Sequence, residues 1–201
     1  FEADFMDCSH GFRPGRNRVN AIRQVKANLD AGRCEIYDAD LSSYFDTISH
    51  VELLNKVARR IADRSVLRLV RLWLTCEVEE RDDQTGKRRR TRATCGTPQG
   101  GVISPLLANI YLHDLDRAFE QDADSPRCFA NARIIRYADD FVVMARYMGG
   151  RISHWLEAKL EGDLQLRINR DKTRVVKLKD ERAELTFLGF SLRYDRDRFG
   201  R

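Results

Sequence analysis

The chain has 201 residues, 42% of them hydrophobic and 33% charged, which suits one globular domain with a subdomain and excludes a disordered chain. The formal charge is +5, from 36 basic and 31 acidic residues; the basic residues gather at Arg13, Arg16 and Arg18 and again at Lys87, Arg88, Arg89, Arg90 and Arg92, which suits a phosphate backbone, although a solvated hairpin explains such a run as well. Five cysteines without a CxxC spacing argue against a disulfide framework or a zinc site and for a reducing, cytoplasmic setting, and no apolar stretch is long enough to span a membrane or reads as a signal peptide.

Residues 1–16 are turn-rich, with Gly11, Pro14 and Gly15 around Phe12. The spacing of Val19, Ile22, Val25, Ala27 and Leu29 predicts a helix over 17–31, stopped at Gly32. A strand follows over 34–41 and ends in Asp40. Ser49 and Glu52 form a Ser-x-x-Glu capping box that opens a helix with Val51, Leu54, Val57 and Ile61 on one face. A second helix begins near Ser65 and carries Leu69, Leu72 and Trp73. Residues 76–82 and 88–94 read as a hairpin around Thr85-Gly86.

Cys95-Gly96-Thr97-Pro98-Gln99-Gly100-Gly101-Val102-Ile103-Ser104-Pro105 is a Gly-rich loop running into a helix capped by Ser104, with Pro105 at its first position. It lacks the lysine of a P-loop. Close backbone approach at Gly100 and Gly101 suits a nucleotide and its base pair. A tight turn before a helix is the plainer reading, but it has no need of Gln99. The helix runs to about residue 120, with Leu107, Ile110, Tyr111, Leu115 and Phe119 inward, and Asp124-Ser125-Pro126 lies in the loop beyond. Two short strands over 133–138 and 141–146 flank Asp139-Asp140. A helix at about 151–165, a turn from Asn169 to Thr173 and strands near 173–178 and 184–190 complete the chain.

Adjacent aspartates in a turn are by themselves most often solvated. Here the flanking strands, Ile134-Ile135-Arg136-Tyr137-Ala138 and Phe141-Val142-Val143-Met144, are nearly continuously apolar. Burial makes two adjacent charges costly, and a divalent cation removes that cost. Asp40, read alone, is a strand-end cap or an ion-pair partner. With the helices near 50–75 set aside as an insertion, residues 34–178 follow the βαββαβ order of a ferredoxin-like sheet, an α+β fold. That order sets the first strand beside the central hairpin and brings Asp40 toward Asp139 and Asp140. Such a carboxylate set suits two hard cations about 3.5–4 Å apart, acting on a phosphoryl transfer.

In its ordered motifs the chain resembles the reverse transcriptases, and most of all their group II intron-encoded, retron-type branch. The strings that carry the resemblance are His10-Gly11-Phe12-Arg13-Pro14-Gly15-Arg16, Asp40-Leu41-Ser42-Ser43-Tyr44-Phe45-Asp46, Gly96 to Leu106, Tyr137-Ala138-Asp139-Asp140, Leu166 to Thr173 and Phe187-Leu188-Gly189-Phe190. They span almost the whole chain. The resemblance implies a right-hand polymerase palm with a helical fingers insertion. Residues 1–33 and about 48–100 would be fingers-side elements, and 34–47 with about 101–190 the palm. It implies two magnesium ions, with manganese as a substitute, on Asp40, Asp139, Asp140 and the Leu41 carbonyl. Phe45 would pack beneath the incoming sugar and exclude a 2′-hydroxyl; without the family a core aromatic is the simpler reading. Gln99 and Gly100 would lie near the incoming nucleotide. Lys172 would neutralise the triphosphate or protonate pyrophosphate, and Arg13 and Arg16 would help hold template or triphosphate. Phe187 to Phe190 resembles the segment that grips the primer.

The expected activity is RNA-directed DNA synthesis from an RNA template, a DNA or RNA primer and deoxynucleoside triphosphates, in a bacterial protein that also meets intron RNA. The alternatives are an RNA-binding maturase, an RNA-dependent RNA polymerase, against which Phe45 speaks, and a defence or diversity-generating enzyme. The chain starts without methionine and stops just after a strand, which reads as a piece of a longer protein with earlier finger motifs, a thumb and a maturase segment outside it.

Overall fold

In the computed structural model, Glu35–Ala39 forms strand β1 and Asp140–Ala145 forms β5, and the two run antiparallel side by side. Arg133–Tyr137 (β4) flanks β5 and Arg174–Lys177 (β6) flanks β1, which makes a four-stranded antiparallel sheet of order β4-β5-β1-β6. Taken in chain order, this is the arrangement of a ferredoxin-like sheet. The valine- and isoleucine-rich strands β4 and β5 suit a pleated surface, and β5 is buried at every position after Asp140.

The described residues are 1–81, 88–97 and 101–194. They fall into two compact units. The first contains the sheet and comprises Glu2–Ser42 with His113–Arg201. On one face of the sheet Ile36, Ile135, Val142, Met144 and Val176 pack with Ala21 and Val25 and with Leu185 and Phe187. Burying each of these side chains other than Ala21 stabilises the fold by roughly 1.5–3 kcal/mol. Ala21 and Val25 come from α1 (Arg18–Asp30), which opens with a reciprocal Asn17–Asn20 capping box. Arg136 of β4 pairs with Asp116 of α5 (Ser104–Gln121). Also in this unit are α6 (Pro126–Ala130), α7 (Gly150–Glu157) and a π-helical turn (Ala158–Asp163). Phe119 and Trp155 meet edge to face at 5.8 Å.

The second unit is Ser43–Leu112 with Phe1. It holds α2 (Tyr44–Thr47), α3 (His50–Ala58), α4 (Arg64–Leu74), the β2–β3 hairpin (Glu77–Arg81, Arg88–Arg92) and the start of α5. Ser49 Oγ accepts the Glu52 amide at 3.4 Å, and the Asp63 carboxylate caps α4 through the Ser65 amide at 2.7 Å. The Tyr44 hydroxyl donates to the Ala108 carbonyl at 2.6 Å.

Residues 2–33 share a compact unit with the sheet, and Ala21 and Val25 bury their side chains in its core. On α4 the inward residues are Val70 and Leu74, while Leu69, Leu72 and Trp73 are exposed. On α3 Leu53 and Val57 face inward and Val51 is exposed. The strand expected over 184–190 is a hairpin, β7 (Glu184–Phe187) and β8 (Phe190–Arg193), which turns at Leu188 and Gly189 with φ +53° and +81°; both central residues left-handed is the pattern of a two-residue hairpin loop. No helix among the described residues is long and apolar enough to cross a membrane.

Candidate active site

Asp40 follows the last residue of β1 and is held by its backbone. Its amide donates to Thr173 Oγ1 at 3.2 Å, and its carbonyl accepts the Asn169 amide at 2.8 Å. Next to it, Leu41 is buried and bridged to Ile168, and the Ser42 amide donates to the Arg167 carbonyl at 2.8 Å. The 167–173 turn is thus the clamp that fixes the end of the central strand. The same turn delivers Lys172, whose Nζ lies 3.9 Å from Asp40 Oδ2.

The β1–β5 register pairs Ala39 with Phe141. Continued by one step, it sets Asp40 opposite Asp140. Asp139 lies in the two-residue turn between β4 and β5, where Tyr137 pairs with Asp140. Asp139 and Asp140 both feel the charge of Asp40. Burial pushes the Asp139 pKa up, the Asp40 charge adds to this, and its own backbone amide and Arg136 oppose it. Asp140, although part of its surface is open to solvent, is pushed up to about 6, first by desolvation and then by Asp139, Asp40 and Asp38. Asp38 is raised by burial against the opposing pull of Arg174, 3.2 Å away.

Among the described residues, no three His, Cys, Asp or Glu side chains converge closely enough to hold one ion in common. What the sheet supplies is a set of oxygen donors with excess negative charge, partly stripped of water. That donor chemistry fits a hard divalent cation, whose charge would relieve the mutual repulsion.

Phe45 lies on α2, half-buried and edge-on to Tyr44 at 5.3 Å. Its carbonyl accepts the Thr97 amide at 2.7 Å, and the Gly96 amide reaches the Ile48 carbonyl at 2.7 Å. A Cβ on Gly96 would fall 2.7 Å from the Phe45 carbonyl oxygen, so only glycine permits this approach. The Gly-rich loop therefore begins pinned to the helix that carries Phe45. Gln99 and Gly100 lie outside the described residues, as does Lys87.

Arg13 is not a free guanidinium. It is buried, and it donates to the Glu2 carboxylate at 2.9 Å and to the Met6 and Ser9 carbonyls at 2.7 and 2.8 Å. Arg16 is tied to the Asp7 carboxylate at 2.7 Å and to the Asp7 carbonyl at 2.8 Å. Both brace the N-terminal segment, so the contact they were expected to make with template or triphosphate would require breaking these bonds. In the basic hairpin, Arg88 and Arg90 both pair with Glu79 at 3.0 Å.

Sequence reasoning passed over Arg136 and Asp116, which are fully buried and ion-paired directly behind the aspartate turn. The signal was present: a charged residue inside Ile134-Ile135-Arg136-Tyr137 must find a buried partner.

The chain matches the family model described as "Reverse transcriptase (RNA-dependent DNA polymerase)" over residues 3–192. Protein YkfC of Escherichia coli (strain K12) is 37% identical, across 100% of this chain and 58% of that protein. Group II intron-encoded protein LtrA of Lactococcus lactis subsp. cremoris is 33% identical, across 84% of this chain and 26% of that protein. This chain therefore spans only part of the length of either relative. Among solved structures, telomerase from Candida albicans superposes with a TM-score of 0.69 at 14% identity, across 96% of this chain and 35% of that one, which is a likeness of fold.

Proposed function

The chain belongs to the reverse transcriptase family, and from that premise we propose that it is the polymerising core of an RNA-directed DNA polymerase of the group II intron-encoded type, working inside a bacterial cell. The observation that carries this reading is the β1–β5 register, which sets the end of the central strand, with Asp40, against the turn with Asp139 and Asp140. A purely RNA-binding module has no use for a carboxylate cluster in which the Asp40 charge raises the pKa of both Asp139 and Asp140.

The 3′-hydroxyl of a DNA or RNA primer, paired to an RNA template, attacks the α-phosphate of a deoxynucleoside triphosphate, and pyrophosphate leaves. Asp40, Asp139 and Asp140, with the Leu41 carbonyl, would hold two magnesium ions, or manganese in their place. When bound, these supply the charge that activates the attacking hydroxyl and stabilises the departing oxygen. Lys172, beside Asp40, neutralises the triphosphate or gives a proton to pyrophosphate. Phe45 excludes the 2′-hydroxyl of a ribonucleotide, and Gln99 and Gly100 border the incoming nucleotide. The sheet unit serves as the palm and the Ser43–Leu112 unit contributes the fingers-side elements.

A second activity, binding of intron RNA as a splicing cofactor, is favoured by α4. Arg64, Arg68 and Arg71 recur there at helical spacing, all exposed, and none pairs with a carboxylate among the described residues. Such a stripe suits a phosphate backbone. Asp139→Asn in the full-length protein separates the two activities. Primer extension on an RNA template should fall by on the order of 10²–10³-fold or more, while RNA affinity stays unchanged or rises. Retained extension would refute the polymerase assignment of this site.

A further inference from the structure

The turn that carries Asp139 is built against its own preference. Only Ala138 and Asp139 join β4 to β5, and Ala138 has φ +58°. That region favours glycine, and an alanine stays there only where its surroundings over-determine it. The surroundings are on hand. Arg136, with no exposed surface, donates from Nη1 to the Ala138 carbonyl at 2.7 Å. Its guanidinium is aimed from behind by Asp116 of α5, through Nε at 2.9 Å and Nη2 at 2.5 Å, and by Ser9 Oγ at 2.8 Å. The Arg136 backbone is held as well: its amide donates to the Cys8 carbonyl and its carbonyl accepts the His10 amide, both at 2.8 Å. From the same segment Gly11 presses on the turn, where a Cβ would fall 2.3 Å from the Ala138 nitrogen.

A fully buried ion pair is a poor device for stability alone, since apolar side chains of equal volume often serve as well or better. An apolar side chain cannot donate to the Ala138 carbonyl. We propose that Arg136 is a positioning residue for the proposed polymerase reaction: Asp116 and Ser9 aim its guanidinium, which grips the Ala138 peptide and thereby sets the direction of Asp139 and Asp140. The inference rests on the reading of those aspartates as metal ligands. The residues 8–11 segment is then part of the catalytic apparatus, as the outer wall of the turn.

The test compares wild type, Arg136→Lys and Ser9→Ala in the full-length protein, with Asp139→Asn as the inactive reference. Lysine keeps the charge for Asp116 but has no fork to serve Asp116 and Ala138 together. At a temperature where each variant is folded by circular dichroism, Arg136→Lys should lose kcat on the order of 100-fold. Its KM for deoxynucleotide and its primer–template affinity should change by less than about threefold. Ser9→Ala should lose kcat in the same manner but less, by about three- to tenfold. Amide hydrogen exchange at Asp139 and Asp140 should be faster in both variants. A folded Arg136→Lys with wild-type kcat and unchanged exchange overturns the proposal. If Arg136→Lys does not fold, Ser9→Ala decides alone, and unchanged kcat and exchange there overturn it. If wild type itself extends no primer, the polymerase reading fails, and the exchange rates of the turn still decide whether Arg136 holds it.

Discussion

Asp140 shows how the site's charge is stored in single side chains. Its carboxyl is pushed up to about 6 in the folded protein from the ordinary 3.8. An acid whose pKa rises on folding holds its proton more firmly in the folded state. Its ionisation therefore costs stability above about pH 6 and costs nothing below its unfolded value near 4. In metal-free protein, Asp140→Asn should melt at a higher temperature than wild type at pH 7.5, and the difference should shrink as pH falls through 6 and vanish below about pH 4. The comparison has to be with wild type at each pH, because buried His10 and half-buried His113, whose pKa desolvation lowers, drive stability the opposite way below neutrality. Equal melting at pH 7.5 would show that the carboxylates do not strain one another. At Phe45 the expected outcome concerns substrate choice: Phe45→Val should raise ribonucleotide incorporation relative to deoxynucleotide by on the order of tenfold or more, measured by single-nucleotide extension. The aspartates proposed as metal ligands were legible in the sequence because adjacent charges between apolar strands are a contradiction that a cation would resolve. Arg13 was not, because a basic residue in a turn-rich segment looks the same whether its guanidinium faces solvent or, as here, the carbonyls of its own loop.

At the scale of elements, the β4–β5 hairpin is the part on which others converge. It is backed by α5 through Asp116 and walled by residues 8–11 through backbone contact with Gly11. Gly11→Ala should destabilise the protein by about 1–3 kcal/mol, read as a lowered urea midpoint, because the atoms it meets are backbone and cannot swing away. Asp116→Asn should cost about 3–5 kcal/mol, since it leaves the buried Arg136 charge without its counterion. A variant with an unshifted midpoint would mean that the pair is not closed in solution. Periodicity found most helices and strands, but on α3 it grouped the exposed Val51 with the buried Val57, and on α4 it left the inward face unassigned. Leu69, Leu72 and Trp73 lie on the exposed side of α4, while Val70 and Leu74 turn inward. The β7–β8 turn was hidden because Leu188 takes a left-handed conformation that sequence rules reserve for glycine or asparagine.

For the whole chain, the ferredoxin-like order could be read in advance because the strands have distinct apolar runs and the topology leaves few pairings open. The division into units could not. Residues 2–33 join the sheet through Ala21 and Val25, a preference set by tertiary packing and not by local pattern. Asp40 and Asp139, 99 positions apart by numbering (139 minus 40), are proposed to serve one cation site. The direct measurement is a double-mutant cycle on manganese binding, followed by electron paramagnetic resonance of the free ion, with primer–template and a non-hydrolysable deoxynucleotide present. Asp40→Asn and Asp139→Asn should each abolish the same tight binding, and the double variant should lose no more than either. Independent losses that add in the double variant would contradict a shared site.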